Sequence, residues 1–141
     1  MPNMTINRRY EIACAHHLHG LGPKHKCSRP HGHNYQIVLT CAGELVNGMV
    51  VDAGRIDVAV RPILRRLDHH DLNEFDDGTA AGKRLAAQPT AEHLALYLWE
   101  RLMFLRIPDD TEGGNAPKRV VINMTKVRVY ETANIWAEVS E

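Results

Sequence analysis

The sequence predicts an α+β domain with the element order β-β-α-α-β-β, in which a four-stranded antiparallel sheet carries two helices on one face. Apolar residues alternate with polar ones in two N-terminal and two C-terminal stretches, which is the two-residue period of half-buried strands. Between them lie two stretches with apolar residues three and four apart, the period of an amphipathic helix. Strands, then helices, then strands again are typical of an α+β domain.

The N-terminal half begins with two predicted strands. Residues 8–17 form the first, because apolar and polar side chains alternate there. Residues 18–30 contain two glycines and two prolines and are predicted to form a loop. The second strand is predicted over residues 32–45. The stretch 45–49, with its Asn-Gly pair, is predicted to be a turn.

A first helix is predicted over residues 53–67, where apolar side chains fall on one stripe. Asp52 is a suitable N-cap because its side chain can accept a hydrogen bond from the first turn. Pro62 lies inside the stripe and is expected to kink or break the helix. Residues 74–89 are polar and contain two glycines, so they are predicted to form a long loop.

The second helix is predicted over residues 91–106, with Thr90 as its N-cap after Pro89. A polar connector is predicted over residues 108–118. A valine- and isoleucine-rich strand is predicted over 119–131, and a short last strand over 135–139.

Length and composition limit the class of protein. A chain of 141 residues suits a single domain over 1–141. Seventeen basic and seventeen acidic residues cancel, which argues against a nucleic-acid partner. The sequence has no apolar run of membrane-spanning length and no signal-peptide core, so we expect no membrane association and a cytoplasmic location. Its cysteines are then expected to be free thiols, with Cys14 and Cys41 packed in apolar strands.

Histidines and one cysteine predict a metal site. Residues 27–35 read Cys-Ser-Arg-Pro-His-Gly-His-Asn-Tyr, and residues two apart on a strand point to the same face. His31 and His33 can therefore bind one metal ion, and a catalytic zinc usually takes three protein ligands and keeps one position open. We expect His16 as the third ligand, because it ends a strand that can pair with the strand of His33. Three other histidines remain alternatives: His17, His19 and His25.

Cys27 has two functional interpretations. It is a fourth zinc ligand that closes a structural site, or a reactive thiol that acts as a base beside an open zinc site. Lys24, Lys26 and Arg29 surround it in the sequence, and positive charge lowers the pKa of a thiol, which favours the reactive role. A packed, unreactive cysteine is the simpler alternative.

Three acidic residues are further candidates. Asp68 and His69 form a carboxylate–imidazole pair of the kind that orients a histidine for proton transfer, although a polar helix end would look the same. Glu131 ends an otherwise apolar strand face, where a carboxylate needs a partner such as a ligand amide, unless the strand end is exposed. Glu92 is more simply explained as an anion in the first turn of a helix.

Six motifs follow one another along the chain: Ala15-His-His-Leu18, Cys27-x3-His31-Gly-His33-Asn-Tyr35, Gly48-Met-Val-Val-Asp52, Leu67-Asp68-His69-x-x-Leu72-Asn73, Pro89-Thr90-Ala91-Glu92 and Val129-Tyr130-Glu131-Thr132. In this order they resemble the 6-pyruvoyl-tetrahydropterin synthase / 6-carboxytetrahydropterin synthase family. The resemblance covers nearly the whole chain. It implies the tunnelling fold, with trimers that form a barrel, a homo-hexamer built as a dimer of trimers, and active sites between subunits.

The resemblance also implies roles for particular residues. Zinc is expected on three histidines: His16, His31 and His33. Catalysis is expected from Cys27 as the thiol, with Asp68 and His69 completing the proton-transfer set. Glu131 is expected to anchor a pterin ring, with Thr90 and Glu92 at the edge of that ring.

Three residues separate Cys27 from His31, which resembles the bacterial 6-carboxytetrahydropterin synthases of queuosine and 7-deazapurine synthesis. The implied activity is a lyase reaction that converts 7,8-dihydroneopterin triphosphate to 6-carboxy-5,6,7,8-tetrahydropterin, acetaldehyde and triphosphate. A 6-pyruvoyl-tetrahydropterin synthase, which keeps the side chain, is the first alternative. A non-catalytic structural zinc module is the second.

Overall fold

A computed structural model describes residues 3–103, 106–109 and 118–141 of the chain. It contains six strands: β1 (Thr5–His16), β2 (His31–Ala42), β3 (Arg106–Asp109), β4 (Lys118–Val121), β5 (Met124–Thr132) and β6 (Ile135–Ser140). It also contains three helices: α1 (Ala53–Leu67), α2 (Ala80–Ala87) and α3 (Ala91–Leu102).

The main sheet has the strand order β1-β2-β5-β6, and each neighbouring pair is antiparallel. The predicted α+β class and four-stranded antiparallel sheet are therefore confirmed. β3 and β4 pair with each other in a separate two-stranded ladder. In the main sheet, β1 and β6 are the edge strands.

The core lies between the helices and one face of the main sheet. Alternate side chains on β1, β2 and β5 are buried on this face, and the strand register places Ile12 opposite Tyr35 and Ile37 opposite Val129. The helices contribute a second apolar layer that includes Leu64, Leu94 and Leu98. Apolar burial of this kind stabilises the fold by roughly 1.5–3 kcal/mol for each fully buried large side chain. Cys14 and Cys41 are both buried in this core, as predicted.

Both helix N-caps predicted from the sequence are confirmed. The Asp52 carboxylate accepts a hydrogen bond from Gly54 N–H at the start of α1, and Thr90 Oγ1 accepts one from His93 N–H at the start of α3. Pro62 does not break α1, which runs without interruption through it. Pro62 and Val58 both face solvent, so the Val58 carbonyl that loses its helical donor can bind water instead.

Two predictions about the second half of the chain are wrong. The loop predicted over 74–89 contains α2, which Thr79 caps through a hydrogen bond from Gly82 N–H. The single strand predicted over 119–131 is divided into β4 and β5. The predicted connector 108–118 begins and ends in the β3–β4 ladder, and its residues 110–117 lie outside the described part of the chain.

No helix within the described residues has the length and apolar character that crossing a membrane requires.

Candidate metal centre and active site

Strand register brings three histidines together at one end of the core face. His16 is directly opposite His31, and Cys14 is directly opposite His33, so all three imidazoles leave the same face of neighbouring strands. One nitrogen of each ring lies within 4.8 Å of one nitrogen of both others. The ring centroids are 4.5–5.0 Å apart. These three histidines are called the His triad below.

Backbone carbonyls fix the tautomer of two triad members. His16 Nδ1–H donates to the Pro89 carbonyl over 2.7 Å, and His31 Nδ1–H donates to the Arg29 carbonyl over 2.7 Å. A carbonyl oxygen can only accept, so the proton of each neutral ring is on Nδ1. Each Nε2 therefore presents a lone pair, which is the form that binds a metal ion.

The two lone pairs face each other. His16 Nε2 and His31 Nε2 lie 3.0 Å apart, and neither carries a proton to share when both rings are neutral. The Nε2 atom of His33 is also buried and has no hydrogen-bond partner within the described part of the chain. Two nitrogens on a tetrahedral zinc would be about 3.3 Å apart, close to the observed separation. The triad therefore fits a divalent metal ion.

Burial favours the neutral form of two triad members. Desolvation lowers the pKa of His16, which is 1% exposed, and the hydrogen bond to Pro89 and the charge of Glu131 offset only part of this effect. Desolvation also lowers the pKa of His33, again against the opposing charge of Glu131. Neutral rings near pH 7 leave their lone pairs available for a metal.

Glu131 lies at the edge of the triad. Its Oε1 atom is 3.3 Å from His33 Nε2, and its side chain is only 18% exposed. The strand-end exposure considered from the sequence is therefore wrong, and the carboxylate is directed toward the same space as the imidazoles. The contact is ionic only when His33 is protonated, which its lowered pKa opposes.

Cys27 lies in a short 3₁₀ turn over Lys26–Ser28 and is partly buried, in contrast to Cys14 and Cys41. Its thiol is not among the ligand atoms grouped around the triad in the described residues. Burial raises the pKa of Cys14 to about 12 and that of Cys41 to about 11, so both stay protonated at neutral pH. Among the three thiols, Cys27 is the most accessible for chemistry.

Asp68 and His69 are paired as the sequence suggested. His69 Nδ1 is 2.9 Å from Asp68 Oδ1, and the His69 ring is mostly exposed. Asp68 also accepts a hydrogen bond from Ala13 N–H over 2.8 Å, and this bond, followed by the contact with His69, lowers the pKa of Asp68. His69 has a φ of 62°, a conformation that a non-glycine residue rarely adopts and that is frequent at functional sites.

A short segment bonded to the outer edge of β1 holds this pair in place. His69 N–H donates to the Ala13 carbonyl over 2.6 Å, and Ala15 N–H donates to the His70 carbonyl over 3.1 Å. The Asp68–His69 pair is thus attached to the strand that ends in His16. Its exposed imidazole lies on the outer side of that edge, where a second molecule can approach.

The other candidate residues occupy the periphery. Thr90 is partly buried at the start of α3, and Glu92 is exposed in the first turn of that helix. The alternative third ligands were His17, His19 and His25. None of them belongs to the triad group in the described part of the chain.

Sequence reasoning missed the residues that orient the triad. The Pro89 and Arg29 carbonyls are backbone groups, and no side-chain pattern marks them. The fully buried Tyr35 hydroxyl lies 3.2 Å from His16 Nδ1. Tyr35 could have been identified, because it follows His33 by two residues on the same strand face.

Comparisons with known proteins are consistent with this site. A model of the family "6-pyruvoyl tetrahydropterin synthase" matches residues 5–141. The 6-carboxy-5,6,7,8-tetrahydropterin synthase of Rickettsia typhi is 28% identical over an alignment of 153 positions, gaps included. The alignment covers 96% of this chain and 99% of the relative. The human 6-pyruvoyl tetrahydrobiopterin synthase is 29% identical over 146 residues, covering 92% and 86%. Caenorhabditis elegans 6-pyruvoyl tetrahydropterin synthase superposes with a TM-score of 0.74 at 25% identity, covering 100% of this chain and 97% of that one.

Proposed function

The chain belongs to the 6-pyruvoyl tetrahydropterin synthase family and has its tunnelling fold, and from that premise we propose that it is a zinc-dependent 6-carboxy-5,6,7,8-tetrahydropterin synthase. The substrate is 7,8-dihydroneopterin triphosphate, and the product belongs to queuosine and 7-deazapurine synthesis. Relatives of both the 6-carboxy and the 6-pyruvoyl type match most of the chain, so the family supports a pterin synthase. The choice of the 6-carboxy product rests on the three-residue spacing between Cys27 and His31.

The proposed reaction balances without an external reductant. The substrate and one water give 6-carboxytetrahydropterin, acetaldehyde and triphosphate. One carbon of the three-carbon side chain stays on the ring as a carboxyl group, and the other two leave as acetaldehyde. The ring gains two hydrogens while the retained carbon is oxidised, so the redox change is internal.

The opposed lone pairs of His16 and His31 are the observation that carries the metal assignment. A bound zinc ion would be held by the three histidines and would act as a Lewis acid that lowers the pKa of a substrate hydroxyl. Three imidazoles without a sulfur ligand leave one coordination position for that hydroxyl.

The remaining chemistry is assigned to side chains around the triad. Cys27, as a thiolate, removes a proton from the substrate side chain, and the Asp68–His69 pair moves a proton on the other side. Glu131 accepts hydrogen bonds from ring N–H groups, since a partly buried carboxylate requires donors. Thr90 and Glu92 lie at the edge of the ring, at the start of α3.

We further propose that the active protein is a dimer of trimers. β1 and β6 are the edge strands, and although the 68–71 segment bonds to β1 at Ala13 and Ala15, the rest of both edges can pair with another copy. In that assembly Cys27 and the Asp68–His69 pair would come from different subunits. Light scattering on the purified protein measures the mass, and a monomer would contradict the proposal.

Product analysis tests the function. The zinc-loaded protein is incubated with 7,8-dihydroneopterin triphosphate, and the pterin product is identified by mass spectrometry. 6-Carboxytetrahydropterin with stoichiometric acetaldehyde supports the proposal. 6-Pyruvoyltetrahydropterin without acetaldehyde supports the alternative activity that the human relative's name suggests. No turnover, together with a sulfur ligand in X-ray absorption spectra, supports the structural zinc module.

A further inference from the structure

The backbone just beyond β1 is held by side-chain amides. The Asn73 side chain accepts a hydrogen bond from His17 N–H over 2.8 Å and donates one to the His17 carbonyl over 3.0 Å. The Gln88 side chain does the same at His19, accepting from its N–H and donating to its carbonyl, both over 2.9 Å. His17 and His19 thus each have both backbone polar groups, the N–H and the carbonyl, bonded to a side-chain amide.

Such bidentate contacts replace a neighbouring strand. A side-chain amide has a carbonyl acceptor and an N–H donor, the same pair that a peptide group offers in a β-ladder. The sheet ends at His16, so residues 17–19 have no strand partner of their own within the described fold. Asn73 and Gln88 extend the ladder by two positions at a point where the chain would otherwise become a free loop.

The residue between the two amide contacts holds Cys27. Leu18 N–H donates to the Cys27 carbonyl over 2.8 Å, which joins the beginning of the 18–30 loop to its end. The rest of the support of Cys27 is local. Its own N–H donates to His25 Nδ1 over 3.1 Å, and His25 itself is exposed. Cys27 is thus held from two sides: by the chain that enters β2 at His31, and by the Leu18 bond, which ties its peptide to residues 17–19.

Both amides come from segments that carry or orient other candidate functional residues. Asn73 follows the Asp68–His69 pair in the segment bonded to the edge of β1. Gln88 precedes Pro89, whose carbonyl accepts the His16 Nδ1–H. Residues 17–19 thus connect the thiol segment with the segments that orient the proton-transfer pair and the metal ligand.

We infer that Asn73 and Gln88 are positioning residues for Cys27. Their side-chain amides fix residues 17–19, and that backbone sets where the thiol stands relative to the His triad. The inference rests on the proposed function, in which Cys27 is the base. Both amides are engaged with the backbone of residues 17–19, so their loss acts through the placement of Cys27.

The test uses Asn73→Ala and Gln88→Ala in the zinc-loaded protein, with two measurements. The first is steady-state turnover of 7,8-dihydroneopterin triphosphate. We expect kcat to fall about tenfold or more while KM and zinc content stay near the native values, since a small displacement of a reacting group has a large effect on rate. The second is the rate of Cys27 alkylation by iodoacetamide, located by mass spectrometry. It should rise several-fold as the segment loosens, while Cys14 and Cys41, being buried, stay unmodified.

Two controls separate positioning from general damage. Gln36→Ala removes another side-chain amide, one that bonds Glu11 on the opposite sheet face, and should change neither measurement. Gln88→Glu keeps the acceptor for His19 N–H and loses the donor, so it should give an intermediate fall in kcat. The inference would be overturned if both alanine variants had the native turnover and the native rate of Cys27 alkylation. It would also be overturned if they lost zinc while the alkylation rate of Cys27 stayed native.

A mutant cycle tests the route through the thiol. In a Cys27→Ala background, Asn73→Ala and Gln88→Ala should cause no further fall in residual turnover. A further fall of the full size would show that the amides act elsewhere. If Cys27→Ala alone has the native rate, the proposed role of the base fails, and the alkylation measurement still decides whether the amides position the thiol.

Discussion

Glu131 Oε1 lies 3.3 Å from His33 Nε2, yet that nitrogen has no hydrogen-bond partner among the described residues. The pair is close because the end of β5 and the start of β2 direct both side chains into one space. In the His33 tautomer with its proton on Nδ1, the form that binds a metal through Nε2, the imidazole nitrogen and the carboxylate oxygen both offer lone pairs, so neither satisfies the other. The arrangement leaves the nitrogen for a metal ion and the carboxylate for the N–H groups of a ligand.

The first prediction concerns the carboxylate. Glu131→Gln should lower kcat/KM by about 10-fold to 100-fold, because hydrogen bonds to a charged acceptor are worth about 1.5–3 kcal/mol. Most of the change should appear in KM if Glu131 holds the ring in both the ground state and the transition state. Steady-state kinetics measure it. Glu138→Gln is the control. It removes a carboxylate of β6 that is paired with Arg128 of β5, and it should leave kcat/KM unchanged.

The second prediction concerns the metal. Exhaustive chelation should abolish turnover, and stoichiometric zinc should restore it, because the triad brings three imidazole nitrogens together as ligands. His16→Ala should weaken zinc binding by about a hundredfold or more. Loss of only the group that hydrogen-bonds a metal ligand already lowers metal affinity by about 10-fold to 100-fold. Competition with a chromophoric chelator measures the affinity.

His19→Ala is the matched control for that experiment, because His19 is another histidine from the same region but lies outside the triad group. It should bind zinc with native affinity. Full activity of the chelated protein, or equal losses in the two variants, would count against the metal assignment.

The fold was largely predictable because its signals are local. The alternation of Tyr10, Ile12 and Cys14 and the caps at Asp52 and Thr90 depend on neighbouring residues, and the structure has them as expected. Helix α2 was missed because Gly78 and Gly82 suggested a loop. Gly82 is there for a steric reason, since a Cβ at this position would overlap the Asp77 carboxylate in the turn before the helix, and the periodicity of side chains does not reveal that.

The candidate site was predictable where ligands sit on strands. The alternation rule places His31 and His33 on one face, and strand pairing then brings in His16. The groups that fix the tautomers are backbone carbonyls from segments distant in the sequence, such as Pro89, 73 residues away from His16. Contacts of that kind depend on how helix α3 docks on the sheet, which the sequence does not encode locally.

The third prediction concerns acid stability. The Asp57 carboxylate accepts hydrogen bonds from Arg8 Nε over 3.0 Å and from the Tyr10 hydroxyl over 2.6 Å. The Arg8 bond is the main cause that lowers the pKa of Asp57 below its ordinary value of 3.8. A lowered carboxyl pKa stabilises the folded state above pH 3.8, and this contribution disappears as the pH falls through the folded-state pKa.

Asp57→Asn should therefore lower the free energy of unfolding by about 1–3 kcal/mol at pH 7, and the difference from the native protein should shrink below about pH 4. Urea unfolding at pH 7 and pH 3 measures both values. Glu44→Gln, which removes an exposed carboxylate, is the control and should be near native at both. A difference that is the same at the two pH values would contradict the explanation.

The fourth prediction concerns two helix glycines in contrasting surroundings. In Gly82→Ala the new Cβ would lie 2.2 Å from Asp77 Oδ1. The Asp77 side chain is fully buried and is held by Thr79 Oγ1–H over 2.6 Å and by the Tyr97 hydroxyl over 2.8 Å, so it has little room to move. We expect Gly82→Ala to lower the free energy of unfolding by about 2 kcal/mol or more, despite the better helix propensity of alanine.

Gly54→Ala in the first turn of α1 is the matched comparison. Its Cβ would lie 3.3 Å from Asp52 Oδ2, the oxygen that does not accept the Gly54 N–H, and Asp52 is exposed, so this oxygen can shift by a few tenths of an ångström. Alanine there should change the free energy of unfolding by less than about 1 kcal/mol, and the helix propensity favours a gain. Denaturant unfolding of both variants gives the comparison. If Gly82→Ala is as stable as Gly54→Ala, the Asp77 carboxylate is not fixed, and α2 does not depend on a glycine at position 82.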